Sequence, residues 1–258
     1  MTVQLFRTCL VNDFFPEAGI AAVELLERAG VKVEVPDGQT CCGQPAWNAG
    51  FRDEARAVAK HAIGQLARTE GPIVIPSGSC ADMLAHQTGE LFRGDAEWSA
   101  KAKGVASRCF ELTQFLVDGV GGASIHGDAG PPPASAAAPE SATGRRVRVV
   151  YHPSCHLSRG LGVKEAPRKL LAAEEGVELV PLTEEDECCG FGGMFSVNQP
   201  DISGAMLDRK CTAIEKSGAE VVASCDSGCL LHLLGGLRRR GANVRACHVA
   251  ELLHPRQA

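Results

Sequence analysis

Eight of the twelve cysteines in this 258-residue chain form two matching sets. Each set has a single cysteine, an adjacent pair followed by glycine, and a final cysteine, spaced as C-x31-CCG-x36-C in the first half and C-x32-CCG-x38-C in the second. Because the same pattern occurs twice in register, the chain is a duplication of one unit. The members are Cys9, Cys41, Cys42 and Cys80 in the first set and Cys155, Cys188, Cys189 and Cys229 in the second.

Clustered thiolates are soft ligands, which in proteins select zinc or iron–sulfur clusters. Structural zinc sites use cysteine pairs about two to four residues apart, so that one turn of backbone places both thiolates on a single ion. Neither half contains a C-x2-C pair, and adjacent cysteines point in diverging directions, which suits several irons better than one ion. Gly43 and Gly190 would let the backbone turn closely around such a group. The pattern favours an iron–sulfur cofactor, with purely packing cysteines as the alternative.

The composition excludes several classes of protein. With 45% apolar and 22% charged residues, the chain falls in the range of packed globular proteins. A net charge of -5 gives no basic field, so nucleic acid is not expected as a partner. No apolar run approaches the roughly 18 residues of a membrane span, and Arg7 and Asp13 interrupt the place of a signal peptide's apolar core. We therefore expect a cytoplasmic protein, in which metal or redox chemistry explains the cysteines better than disulfides do.

Alternating strand and helix patterns must position the cysteines. They imply parallel sheets joined by right-handed crossovers, so we predict an α/β fold of two homologous, doubly wound lobes. The outer cysteines of each set then lie at or just beyond the carboxyl ends of strands, the edge where ligands of open α/β sheets bind. The predicted strands are 3–10, 31–35, 72–75, 147–151, 177–180 and 220–223, and the predicted helices are 16–29, 53–66, 167–175 and 202–214.

A stretch rich in Gly, Pro, Ala and Ser separates the two halves at 119–144 and has no apolar periodicity. Such a composition is typical of a flexible linker. We therefore divide the chain into a first cysteine-rich domain at 1–118, a linker at 119–144 and a second cysteine-rich domain at 145–258.

The duplicated pattern resembles the CCG cysteine-rich family, which includes the cysteine-rich subunit of heterodisulfide reductase and the iron–sulfur subunits of glycolate oxidase and anaerobic glycerol-3-phosphate dehydrogenase. The stretches LFRTCLVNDFFPEAG, PSGSCADM, YHPSCHLSRGLG and DECCGFGGMFSVNQP are similar to the lactate utilization protein A branch of that family. This resemblance covers nearly the whole chain outside the linker. It implies an iron–sulfur component, with the eight matched cysteines as ligands, that acts with two partner subunits in oxidising L-lactate to pyruvate.

The chain departs from the wider family at two positions. The family pattern ends with C-x2-C, but the first of those two positions is Ser77 in one half and Asp226 in the other. Five-thiolate ligation of a non-cubane cluster is therefore in doubt, whereas four thiolates per lobe suffice for a [4Fe-4S] cluster. Both cluster types stay open, with one cluster expected in each lobe. Each of the two side chains is predicted to cap a turn, with an oxygen ligand as the alternative.

Several residues near the motifs have simpler explanations. Cys225 is predicted to be a buried thiol at a strand end, with a substitute ligand as the alternative. His152 and His156 flank Cys155 and are predicted to have no special role, because the first half has Arg7 and Leu10 near the equivalent places; hydrogen bonding to sulfur or proton relay is the alternative. The acidic run at 184–187 is predicted to be a solvated loop. The remaining cysteines have no match in the other half and are predicted to be core residues: Cys109, Cys211 and Cys247.

Three functions remain open from the sequence. The leading hypothesis is an iron–sulfur electron-transfer subunit of a lactate-oxidising complex. The chain has neither G-x-G-x-x-G after a strand nor G-x4-G-K-[ST], so we expect the two-electron chemistry of lactate to take place on another subunit. The alternatives are a thiol–disulfide oxidoreductase and a zinc-stabilised structural or regulatory protein.

Overall fold

Two sheets of the same design make up the structure, a computed structural model that describes residues 1–118 and 145–253. In both sheets every observed pairing is parallel. The strands are β1 (Thr2–Leu5), β2 (Lys32–Glu34), β3 (Ile73–Ile75) and β4 (Cys109–Glu111) in the first sheet, and β5 (Val147–Tyr151), β6 (Val177–Leu179), β7 (Val221–Ser224) and β8 (Arg245–His248) in the second.

The strand orders are β2-β1-β3-β4 and β6-β5-β7-β8. The chain leaves β1 towards β2 on one side and then crosses back to β3 on the other, so the direction of winding reverses between β1 and β3. In an open α/β sheet, that reversal leaves a crevice at the carboxyl ends of the two central strands. The same crevice recurs between β5 and β7. The predicted fold of two homologous, doubly wound α/β lobes is confirmed.

Helices connect the strands and cover both faces of the sheets. Their apolar residues recur at helical spacing, as in the fourth helix, where Ala55, Ala59, Ala62 and Leu66 are all buried. The first lobe contains α1 (Cys9–Phe14), α2 (Pro16–Arg28), α3 (Gln44–Asn48), α4 (Arg52–Leu66), α5 (Gly78–Asp82), α6 (Thr88–Leu91), α7 (Ala96–Ala106) and α8 (Leu112–Asp118). The second contains α9 (Ala166–Ala173), α10 (Met194–Asn198), α11 (Pro200–Ser217), α12 (Ser227–Arg239) and α13 (Val249–Leu253). Two π-helical turns lie at Met83–Gln87 and His156–Gly160.

The predicted elements are largely present, with two corrections. The strand predicted over 3–10 ends at Leu5, because Thr8 caps a helix that begins at Cys9. The side-chain oxygen of Thr8 accepts the N–H of Val11 and so turns the chain out of the sheet. The fourth strand of each sheet, β4 and β8, was not predicted.

One apolar core is shared by the two lobes. Leu5 and Leu26 of the first lobe and Tyr151 and Val249 of the second belong to the same buried cluster. Helix α2 packs against α13, and α8 packs against α9, so helices of each lobe cover the other. The predicted linker at 119–144 lies outside the described residues, and the domain boundaries placed there stay a prediction.

No helix within residues 1–118 and 145–253 combines the length and the apolar character needed to cross a membrane.

Candidate metal centres

The four cysteines of the first set converge at the carboxyl edge of the first sheet. The Sγ atoms of Cys42 and Cys80 lie 3.4 Å apart, although 38 residues separate them in sequence. The sulfur of Cys41 accepts hydrogen bonds from the thiols of Cys42 and Cys9. The four sulfurs therefore form one contiguous group, the first thiol site.

The second set converges in the same way. The sulfur of Cys188 accepts hydrogen bonds from Cys155 and Cys189, and Cys189 is also hydrogen-bonded to Cys229. These four sulfurs form the second thiol site. All of these cysteines are free thiols, so nothing covalent holds either group together. The structure thus brings together the four cysteines of each matching set.

Strand ends and helix N-termini position the thiols. Cys9 begins α1 shortly after β1, and Cys80 lies in the first turn of α5, which follows β3. Cys229 has the same place in α12 after β7. Since β1 and β3 are neighbours in the sheet, the two outer cysteines meet at the crevice, and the loop after β2 brings the adjacent pair to them. Backbone N–H groups at a helix start stabilise a thiolate there.

The glycine of each CCG motif adopts a left-handed backbone, with φ of +94° at Gly43 and +88° at Gly190. A Cβ at Gly190 would lie 2.7 Å from the carbonyl oxygen of Ser203. The N–H of each glycine donates to the sulfur two residues earlier, at 3.5 Å to Cys41 and 3.3 Å to Cys188. The prediction that these glycines permit a close turn of the backbone is confirmed.

One thiol in each site gives up its proton first. Hydrogen bonds from Cys42 and Cys9 lower the pKa of Cys41 to about 3. In the second site, hydrogen bonds from Cys155 and Cys189 lower the pKa of Cys188 to about 2. The donors keep their protons: hydrogen bonding and burial raise the pKa of Cys42 and Cys189 well above the ordinary range. Metal binding requires all four thiols as thiolates, so it would release the remaining protons.

Ser77 and Asp226 are helix caps, as predicted. The Oγ of Ser77 accepts the N–H of Cys80 at the start of α5, and Oδ1 of Asp226 accepts two N–H groups at the start of α12. The two side chains also meet across the lobe boundary. Oδ2 of Asp226 accepts the hydroxyl of Ser77 at 3.3 Å and the N–H of Ser79 at 2.8 Å. Their oxygens are therefore engaged in the protein's own hydrogen bonds.

Cys225 lies apart from the matched thiols. Its sulfur is fully buried, 4.0 Å from the hydroxyl of Tyr151, and burial raises the pKa of the thiol well above its ordinary value. The prediction of a buried thiol at a strand end is confirmed. Of the three unmatched cysteines, Cys211 and Cys247 are buried as predicted, and Cys109 is half-buried beside the carbonyl oxygen of Val105.

His152 adds a nitrogen beside the second thiol site. A ring nitrogen of His152 and the sulfurs of Cys189 and Cys229 all lie within 4.8 Å of one another. The imidazole is 1% exposed, and in the described part of the chain neither of its nitrogens has a hydrogen-bond partner. Burial lowers the pKa of His152 to about 3, so the ring is neutral. An unpaired buried polar group costs about 1–3 kcal/mol, which a bound metal centre would offset.

This donor set fits a soft-metal group. Four thiols with low-pKa members, one neutral imidazole and few competing carboxylates are the ligands that iron–sulfur clusters and zinc take, and not those of magnesium or calcium. The residues that would hold the group are Cys9, Cys41, Cys42 and Cys80 in the first lobe and Cys155, Cys188, Cys189 and Cys229 in the second.

Phe6 is the counterpart of His152 in the first lobe. The N–H of Phe6 donates to the carbonyl of Val74 just after β1, and the N–H of His152 donates to the carbonyl of Ala223 just after β5. These two hydrogen bonds occupy the same place in the two sheets. Arg7, which the sequence puts near the equivalent place, is the next residue along the chain.

Two arginines pair with three of the four carboxylates in the acidic run that precedes Cys188. Arg168 pairs with Glu185 at 2.7 Å, and Arg209 pairs with both Glu184 and Glu187. Glu184 is exposed, in agreement with the predicted solvated loop.

Lys210 lies beneath this loop and was missed from the sequence. Its side chain is buried, and Nζ donates to the backbone carbonyls of Glu184 at 2.6 Å and Glu185 at 3.2 Å. A signal was available, because Lys210 falls at helical spacing with Leu207 and Ile214 on the inner face of α11.

His156 bridges the two lobes. Its Nδ1 lies 2.7 Å from Oδ2 of Asp82, whose other oxygen is 3.0 Å from Nδ1 of His86. Burial acts to raise the pKa of Asp82, but the hydrogen bonds from the two histidines outweigh it, and the pKa is lowered. The hydrogen bond to Asp82 raises the pKa of His156. Nδ1 of His156 is thus committed to this contact.

Known proteins match the chain over both lobes. The cysteine-rich domain family CCG matches twice, at residues 3–85 and 149–234, so the class of protein is a duplicated CCG protein. Lactate utilization protein A of Geobacillus kaustophilus (strain HTA426) is 45% identical over 99% of this chain and 100% of its own length. Lactate utilization protein A 2 of Bacillus cereus (strain Q1) is 44% identical over 98% of both chains. The chain belongs to the lactate utilization protein A family.

Proposed function

We propose that this protein is an iron–sulfur electron-transfer subunit in the oxidation of L-lactate to pyruvate, with one cluster in each lobe. The observation that carries the proposal is the convergence of four thiols at the carboxyl edge of each sheet. The relatives named lactate utilization protein A supply the pathway. A [4Fe-4S] cluster needs four thiolates, which is the number that each lobe provides.

The chain's own residues would do three things around such a cluster. Cys41 and Cys188 supply thiolates at neutral pH, and the buried Cys42 and Cys189 keep water from one side of the site. The N–H groups of the CCG glycines donate to sulfur, an interaction that favours the reduced state. An iron–sulfur cluster supplies one-electron transfer when it is bound.

Lactate oxidation removes two electrons together with a hydride equivalent, which calls for a flavin or nicotinamide. The sequence carries no nucleotide-binding motif. We therefore propose that two partner subunits in a cytoplasmic complex provide the two-electron site, and that this chain carries the electrons onward one at a time.

A thiol–disulfide oxidoreductase is the second candidate. The observation in its favour is the 3.4 Å approach of the Cys42 and Cys80 sulfurs beside the readily ionised Cys41. Thiolate attack on a disulfide needs such a low-pKa thiol. In this candidate the CCG cysteines act at a cluster as well, so the two candidates differ in substrate: the first carries electrons from lactate oxidation, and the second reduces a disulfide.

The test is anaerobic purification with analysis of iron, acid-labile sulfide and zinc. We expect brown protein with equal amounts of iron and sulfide. Changing Cys41 and Cys42 together to Ser should remove about half of the iron, since each lobe would hold its own cluster. Cys109→Ser is the matched control, because Cys109 lies outside both thiol sites, and it should keep full iron. Zinc without sulfide would contradict the proposal and favour the zinc-stabilised alternative.

Activity provides a second test. The isolated chain should not oxidise L-lactate with an artificial electron acceptor, whereas the assembled complex should. Within the complex, Cys188→Ser should abolish turnover while Cys109→Ser leaves it intact. Lactate oxidation by the isolated chain would show that it has a catalytic site of its own.

A further inference from the structure

Each thiol site has the same arrangement of four cysteines, but the residues around the two sites differ. Where the second lobe has His152, the first has Phe6, which is also fully buried. The phenyl ring offers no donor or acceptor to the first site. The imidazole lies within 4.8 Å of two sulfurs of the second site, with both nitrogens unpaired in the described residues.

A second difference concerns charge. The Cβ positions of the CCG glycines would meet the carbonyl oxygens of Ala55 in one lobe and Ser203 in the other, which makes those residues counterparts. Seven residues further along each helix, the counterparts are Ala62 and Lys210, both buried. The buried ammonium of Lys210 interacts electrostatically with Cys188 and Cys189. The first lobe has a methyl group at that place.

We propose that the imidazole of His152 donates an N–H hydrogen bond to sulfur of the metal centre in the second lobe, and that His152 and Lys210 each make this centre easier to reduce. The inference rests on the proposed function, because it requires an iron–sulfur cluster at the second thiol site.

Both residues act in the same direction. An added electron makes a cluster more negative, and a nearby buried cation or an N–H donor to sulfur stabilises that charge better than a methyl or phenyl group does. The carboxylate of Asp226, whose counterpart in the first lobe is Ser77, acts on Cys155 and Cys229 in the opposite direction. The effects of His152 and Lys210 are therefore measured by replacing each residue and following the same centre.

The experiment uses the full chain with one centre removed at a time. Cys41→Ser with Cys42→Ser leaves the second centre, and Cys188→Ser with Cys189→Ser leaves the first. Each is titrated electrochemically under anaerobic conditions, and the dithionite-reduced protein is studied by pulsed electron paramagnetic resonance for coupling to a nitrogen of isotope-labelled histidine. We expect histidine coupling in the second centre and no such coupling in the first.

Three substitutions test the residues themselves. His152→Phe should remove the nitrogen coupling and lower the ratio of reduced to oxidised second centre about tenfold at a fixed potential, which is about 59 mV for a one-electron couple. Phe6→His should introduce coupling in the first centre and raise its potential. Lys210→Gln keeps a donor for the loop carbonyls but loses the charge, and should lower the potential of the second centre while leaving the coupling intact.

The outcomes separate this inference from the proposed function. Iron and sulfide present without histidine coupling in the second centre would overturn the role of His152 and leave the proposed function standing. A potential of the second centre that is unchanged by both His152→Phe and Lys210→Gln would overturn the effect on reduction. Protein without iron in either lobe would overturn the proposed function and this inference with it.

Discussion

Replacing Gly190, the glycine of the second CCG motif, should destabilise the protein because of its left-handed backbone and its close neighbours. In Gly190→Ala, the left-handed conformation at φ +88° costs an L-residue about 1–2 kcal/mol. The new Cβ would also lie 2.7 Å from the carbonyl oxygen of Ser203 and 2.9 Å from Cβ of Met206, and such overpacking typically costs about 1–3 kcal/mol. Together these give a loss of about 2–5 kcal/mol in the free energy of unfolding.

Two other glycines complete a graded series. Gly162 has φ of +73° but nothing within 4 Å of its Cβ position, so Gly162→Ala should show only the backbone cost of about 1–2 kcal/mol. Gly43 has φ of +94° and a nearest atom at 3.1 Å, so Gly43→Ala should fall between the two. Guanidinium unfolding followed by circular dichroism measures the stabilities, and iron content measures the site. Equal losses for Gly190→Ala and Gly162→Ala would refute the role of the close approach.

Three further outcomes are expected. Asp226→Ala should lose about 2–4 kcal/mol, because Asp226 both caps α12 and holds the other lobe. Asp95 is a half-buried cap within one lobe, so Asp95→Ala should lose about 1 kcal/mol; both are measured by denaturant unfolding. Burial raises the pKa of Glu111 to about 7, so the native state binds an extra proton between pH 4.5 and 7. The protein should therefore lose stability, up to about 3 kcal/mol, as pH rises through that window. Glu111→Gln should remove this dependence of stability on pH, and a pH profile unchanged by the substitution would count against it. Deleting most of 119–144 should leave the circular dichroism and iron content of both lobes intact, and loss of either would contradict the linker assignment.

Much of the fold could be predicted because the periodicity of buried residues is local. The strand at Val147–Tyr151 matches its prediction at both ends, and the helix at Arg52–Leu66 differs by one residue. The failures have physical reasons. After β1, a side-chain cap at Thr8 overrides an apolar run. Strands β4 and β8 carry charged residues at Glu111 and Arg245 in place of the apolar run that marks β3 and β7.

The candidate site, like the fold, could be predicted from the sequence only in part. The two sets of cysteines follow from their spacing alone, because parallel strands end at one edge. The residues around them do not follow from spacing. Phe6 occupies in the first lobe the place that His152 has in the second, which depends on the exact ends of two strands. Lys210 lies under the loop at Glu184, which depends on packing between distant segments. Contacts across the lobe boundary, such as Ser77 with Asp226, have no local signal at all.

The pairing of Ser77 with Asp226 bears on why two lobes share one chain. In a symmetric dimer of identical subunits, a residue that lies on the two-fold axis must face the same residue of the other subunit. Ser77 and Asp226 are equivalent positions in the repeat, and they face each other as hydroxyl and carboxylate. Two carboxylates at that spot would repel each other, and two hydroxyls would lack the charge that holds the N–H of Ser79. Fusion of the repeats frees this interface from self-complementarity.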